Sequence, residues 1–239
     1  MDQLFSFTSN STEISQDFFP SIQLDENYSY SLGLYSLNTY NSIPNIINNI
    51  NNKFYYETYD GSTDIISIPE GSYELEEIEL FIFNELKKRH GENINFYLKP
   101  NTISLKVEIY CPFLIYNGFK ASVIKILGFS SSKLDKNIIH YSDKPVQITS
   151  VNEINVECNI VAGSFRNGKL CHTIFAFYPD VPSGYKLSLL PTNIIYLPVS
   201  TRTINNITLR LTDQHGRLLN FRGEEISIQL NLKKYGVNF

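Results

Sequence analysis

The chain has 239 residues, 42% of them hydrophobic, with 16 Tyr, 16 Phe, one Met and no Trp, a balance rich in side chains that fit a pleated, half-buried surface. Its formal net charge of -4 at pH 7 leaves no basic footprint of the kind that binding free DNA or RNA requires. Residues 1–19 hold neither a basic n-region nor a continuous apolar run, and no stretch of about 18 apolar residues occurs, so neither a secretion leader nor a membrane span is expected.

Residues 1–27 contain Asp2, Glu13, Asp17, Asp25 and Glu26 without a Lys or Arg, and Phe5, Phe7, Phe18 and Phe19 show no clear period. This reads as a flexible N-terminal arm whose four phenylalanines order against a partner. From Tyr28, YSYSLGLYSLNTYN alternates polar with apolar residues as a half-buried strand does, and Pro44 ends it. An Asn-rich turn leads to a strand over 53–59, and Asp60-Gly61 signals a hairpin into a strand over 64–68.

One helix interrupts the strands, at about 73–90. Ser72 is placed as N-cap, Glu74, Glu76 and Glu77 stand in the first turns, Lys87, Lys88, Arg89 and His90 in the last, and Gly91 is placed at C′. Leu75, Ile78, Ile82 and Leu86 form one apolar stripe with Phe81 at its edge, so the glutamates read as dipole partners and a solvated face.

Strands are then expected over 94–100, 103–116 and 122–129, with a hairpin turn at Asn117-Gly118, followed by a long polar surface loop over 130–145. The second half repeats the pattern from PVQI (145–148) to ISIQLNLKK (226–234), and residues 236–239 are left as a C-terminal tail. About a dozen short strands at roughly 8 to 12-residue spacing define an all-β sandwich or barrel.

Catalytic and metal chemistry find little support. His90, His140, His172 and His215 are far apart in sequence, and none has a second histidine at ligand spacing. Cys171 and His172 are adjacent in a strand and point to opposite faces. Cys111, Cys158 and Cys171 are read as buried packing thiols, and the sequons at Asn10, Asn27 and Asn206 as by-products of an Asn-rich chain. There is no phosphate-binding loop, nucleophile elbow or dinucleotide fingerprint, and Arg222-Gly-Glu224 reads as a turn. No enzyme activity, metal or cofactor is expected.

The ordered series YSLNTYNSIPNI (35–46), NNKFYY (51–56) and IPEGSYELEEIE (68–79) resembles the penton, or minor capsid, protein of Polinton/Maverick elements and related adintoviruses. VECNIVAGSF (156–165), FYPDVPSGYK (177–186), IIYLPV (194–199) and the segment over 208–233 extend the resemblance to approximately 28–235. It implies a single jelly-roll β-sandwich capsid domain over 28–235 with long loops and an inserted helix. It further implies a homopentamer at the fivefold vertices of an icosahedral virion, beside a double jelly-roll major capsid protein, assembled inside the host cell. On these terms the arm phenylalanines Phe5, Phe7, Phe18 and Phe19 would seat in grooves of a neighbouring subunit or of the major capsid protein. The alternative is a lectin-like, carbohydrate-binding β-sandwich that uses Asn, Asp and Tyr on its loops.

Overall fold

The computed structural model describes residues 2–146, 148 and 151–236; Gln147 of the expected PVQI strand and residues 237–239 of the expected tail lie outside the described residues. The chain opens with β1 (Gln3–Ser9), β2 (Glu13–Gln23) and β3 (Tyr28–Tyr40). There follow β4 (Lys53–Glu57), β5 (Thr63–Ser67), α1 (Leu75–His90), β6 (Tyr97–Pro100), β7 (Val107–Tyr110), β8 (Ile115–Tyr116), β9 (Lys133–Leu134) and β10 (Ile139–Tyr141). The last series is β11 (Ile154–Cys158), β12 (Ser164–Arg166), β13 (Lys169–Cys171), β14 (Thr173–Phe177), β15 (Lys186–Leu189), β16 (Leu197–Pro198), β17 (Thr203–Thr212) and β18 (Ile226–Gly236). Residues 1–43 and 151–239 make one compact unit, and residues 44–150, inserted in the chain between β3 and β11, make a second.

The first unit is a sandwich of two antiparallel sheets, one ordered β1-β18-β3-β15 with the short β16 also on β3, the other ordered β14-β11-β17-β2. Pairing is nested. β1 pairs with β18, β2 with β17, β3 with β15 and β16, and β11 with β14, so the chain folds as one long hairpin rolled across both sheets. That is the jelly roll. Every second residue of the long strands turns inward: Leu32 and Leu34 on β3, Ile207, Leu209 and Leu211 on β17, and Ile226, Ile228, Leu230 and Leu232 on β18 are buried in one core.

The expected flexible arm is absent. Residues 3–23 are β1 and β2, one in each sheet, and the jelly roll therefore begins at residue 3 rather than 28. Phe5 and Phe7 occupy alternate positions of β1 and join the core, an alternation too short to stand out in the sequence. In β2 the period is broken outright: Ile22 pairs with Ile204 and Asp17 with Asn206, so residues 18–21 bulge out opposite Asn205 alone.

The second unit encloses α1 in a core of its own. Leu75, Ile78, Ile82 and Leu86, the predicted stripe, are buried with Phe54, Phe96, Ile109 and Phe113, while β10-β7-β6 and β5-β4-β8-β9 form its sheets. The helix is thus one element of a 44–150 insertion, not a lone addition to a single domain over 28–235. Its N-cap is Glu74 rather than Ser72. The Asn45 amide explains the delay, since its oxygen accepts the Tyr73 N–H at 2.9 Å and its nitrogen donates to the Tyr73 carbonyl at 2.7 Å, holding residue 73 outside the helix. The Glu74 N–H then donates to the Glu77 carboxylate at 2.8 Å, and Gly91, at φ 95°, ends the helix with its N–H on the Lys87 carbonyl.

Other asparagines of the Asn-rich turn are structural as well. Asn51 donates to the Asn45 carbonyl at 2.7 Å and Asn52 to the Ile68 carbonyl at 3.0 Å, tying the turn to β5 and its exit. The expected strand over 122–129 is instead a 3-10 turn at Val123–Lys125, because Val123, Ile124, Leu127 and Phe129 are all buried and a strand could not turn adjacent residues to one face. Nor is Asn117-Gly118 a hairpin turn; the buried Asn117 amide donates to the Phe129 and Ser131 carbonyls, both at 3.0 Å, and pins that loop.

Candidate assembly surfaces

The four phenylalanines singled out by sequence divide sharply. Phe7 is 5% exposed in the jelly-roll core, and Phe5 and Phe18 pack edge to face against each other, ring centroids 5.7 Å apart, at the margin of that core. Those three pack within the fold of this chain, Phe7 fully and Phe5 and Phe18 in part, rather than standing on a free arm. Phe19 differs: it stands on the β2 bulge, where the regular pairing with β17 is interrupted, and is 102% exposed.

The sandwich has two flanks. β1 lies against β2 on one, where both are edge strands; β14 lies against β3 on the other, beside β15 and β16. On this second flank the β12–β13 hairpin, turned by Asn167 and Gly168 at φ 51° and 76°, pairs Phe165 with Leu170 and Arg166 with Lys169. Phe165 and Leu170 are 70% and 60% exposed. Beneath them runs an apolar groove of about 370 Å³ lined by Phe165, Phe175, Ala176, Ile195 and Leu197 together with Gly163, Glu153 and Arg166. Asn155, which also lines the groove, donates to the Asp213 carbonyl but keeps its Oδ1 buried without a hydrogen-bond partner. No signal in the sequence marked this groove, because its walls come from β14, the hairpin and the approach to β16, which only the fold brings together.

The second unit exposes apolar residues of its own. Ile103 and Leu105 stand out from the turn before β7, and Ile139 and Tyr141 from β10. On α1, Leu80 faces outward beside a cleft of about 410 Å³ lined by Glu76, Glu79, Phe83 and Phe96.

Titratable groups serve the fold. The Tyr56 hydroxyl donates to Asp64 at 2.8 Å and lies 2.9 Å from His90 Nε2, and Arg89 donates to the same Asp64 oxygen at 2.9 Å. Burial, then the Asp64 carboxylate, push the Tyr56 pKa up to about 12. His140 and His172 hydrogen-bond to backbone carbonyls, and no group of three or more His, Cys, Asp or Glu able to hold a metal occurs among the described residues. Burial raises the Cys111 and Cys158 thiols to about 12 and about 11, which makes them inert packing groups. Cys171 departs from that expectation and is half-exposed in the groove wall. Burial tends to raise its pKa, but hydrogen bonds from Ser164 and Thr173 and the charge of Arg166 outweigh this and leave it lowered.

The nested pairing of two sheets places the chain among single jelly-roll proteins. A solved structure similar to it is that of the mavirus penton protein, selenomethionine-labelled, which aligns over 98% of this chain and 100% of that one with a TM-score of 0.51 and 10% sequence identity. At that identity the likeness is one of fold. No family model matches the chain, and no curated protein matches it.

Proposed function

We propose that this chain is a penton-type capsid protein, a structural protein of which five copies close into a ring at the vertex of an icosahedral virion. The carrying observation is the rolled, nested jelly roll, in a chain whose fold aligns with that of the mavirus penton protein over nearly the whole of both chains. The sequence resemblance to Polinton/Maverick and adintovirus pentons points the same way. A ring needs a heterologous interface, in which one surface of each copy meets a different surface of the next. The two flanks of the sandwich differ in that manner: one presents bare edge strands and Phe19, the other an apolar groove.

In this reading the partners are four further copies of the chain and a double jelly-roll major capsid protein, with assembly inside the host cell. The test is co-expression with such a major capsid protein, with a gold-binding tag on this chain, followed by electron microscopy of the shells. Gold confined to the vertices is expected; gold scattered over the facets, or shells that close without the chain, would overturn the proposal.

A further inference from the structure

We infer that Phe19 is the knob, and the groove beside the β12–β13 hairpin the socket, of a head-to-tail contact between copies of this chain. The inference rests on the ring reading above and names the two surfaces that close the ring. Four observations carry it.

Phe19 is fully exposed although its neighbours Phe18 and Ile22 pack on the core, so the fold of one copy gives that ring nothing to bury against. The groove offers the complementary surface, with Phe175, Ile195 and Leu197 in its walls and the exposed Phe165 beside them. Knob and groove lie on opposite flanks of the sandwich, which is the arrangement a repeating head-to-tail contact demands and a twofold contact does not.

Charge supplies the fourth. Arg166 and Lys169 face each other directly across the hairpin, like charges that repel, and neither has an ion pair among the described residues. On the opposite flank Glu13 reaches Arg210 at 3.9 Å and Asp25 reaches Lys234 at 4.0 Å, but the Asp17 carboxylate, two residues before Phe19, accepts from the Asn206 amide at 2.8 Å and has no ion pair among the described residues. Seating Phe19 in the groove brings the unpaired Asp17 towards the unneutralised Arg166 and Lys169. The bulge at residues 18–21, with Pro20 in it, also opposes the competing mode, in which β2 would simply add to another strand edge.

The test uses two variants of the full chain, Phe19→Glu and Ile195→Glu, followed by native mass spectrometry alone and mixed. Both positions are exposed, so each variant is expected to keep the wild-type circular dichroism spectrum and melting temperature. Should Ile195→Glu fail to fold, Phe165→Glu, at an exposed residue of the groove wall, takes its place. Each variant alone is expected to raise the concentration of half-assembly by about tenfold or more. Mixed, the intact knob of one fits the intact groove of the other once, so one-to-one dimers form and grow no further. If both variants assemble like the wild type, or if the mixture forms nothing or grows beyond dimers, the knob and groove are wrong while the ring reading stands. A wild-type chain that does not self-associate at any concentration overturns both.

Discussion

At the scale of the residue, Gly33 sets how close the wall of the groove comes to the sheet. A Cβ there would clash with Ile194 Cγ2 and come within 2.9 Å of the Ile195 carbonyl oxygen, so β3 needs a glycine where the segment entering β16 lies over it. Gly33→Ala is expected to cost about 1–3 kcal/mol in urea unfolding, as overpacking does, and to weaken assembly by moving Ile195. Tyr56 and Asp213 make opposite pH predictions. Tyr56 is neutral when folded, with its pKa raised from 10.0 to about 12, so its contribution is whole below pH 10 and is lost as pH rises towards 12. Tyr56→Phe should remove that alkaline loss and cost about 1–2 kcal/mol near neutrality. Burial tends to raise the Asp213 pKa, but the Arg217 and His215 N–H groups and the Arg217 guanidinium outweigh it and hold the carboxyl below its ordinary 3.8. Its contribution is therefore present above pH 3.8 and fades as pH falls through the lower folded value; Asp213→Asn should be destabilised at pH 7 and approach the wild type in acid, as read by chemical unfolding at each pH.

At the scale of the element, β1 and β2 carry the sharpest prediction. Each pairs along its length with a long strand, β18 or β17, and Phe7 and Ile14 are buried between the sheets. Deleting residues 1–25 should therefore abolish cooperative folding, whereas a detachable arm would leave the melting transition in place. For α1, Ile82→Ala in the stripe should cost about 2–5 kcal/mol, and Glu77→Ala, which strips the Glu74 N–H of its acceptor, about 0.5–2 kcal/mol. The helix was legible because its stripe, Leu75 to Leu86, spans about three turns and both ends carry complementary charge. The first two strands were not. Phe5-Ser-Phe7 is one short alternation, and Phe18-Phe19-Pro20 breaks period just where β2 bulges, so local pattern could not separate strand from arm. The start of α1 was missed for a similar reason, since the Asn45 amide that holds Tyr73 out of the helix reaches it from 28 residues away.

At the scale of the whole molecule, residues 44–150 hold a separate core, and the nested jelly-roll pairing is made of contacts that no local period encodes. The sandwich class was readable from strand spacing, but the partner of each strand was not, and with it the two flanks and the groove were out of reach. Because the insertion buries its own helix and sheets, a polypeptide of residues 44–150 should fold alone and give a dispersed amide spectrum; a collapsed, undispersed spectrum would show that its core depends on the rest of the chain. The central claim is that unlike flanks of the jelly roll join copies into a closed ring. Size-exclusion chromatography with light scattering on the full chain over a wide concentration range tests it most directly. A discrete species of five times the 27.5 kDa chain mass, with no larger or open-ended series, is the predicted result, and a monomer that persists at the highest concentration would contradict it.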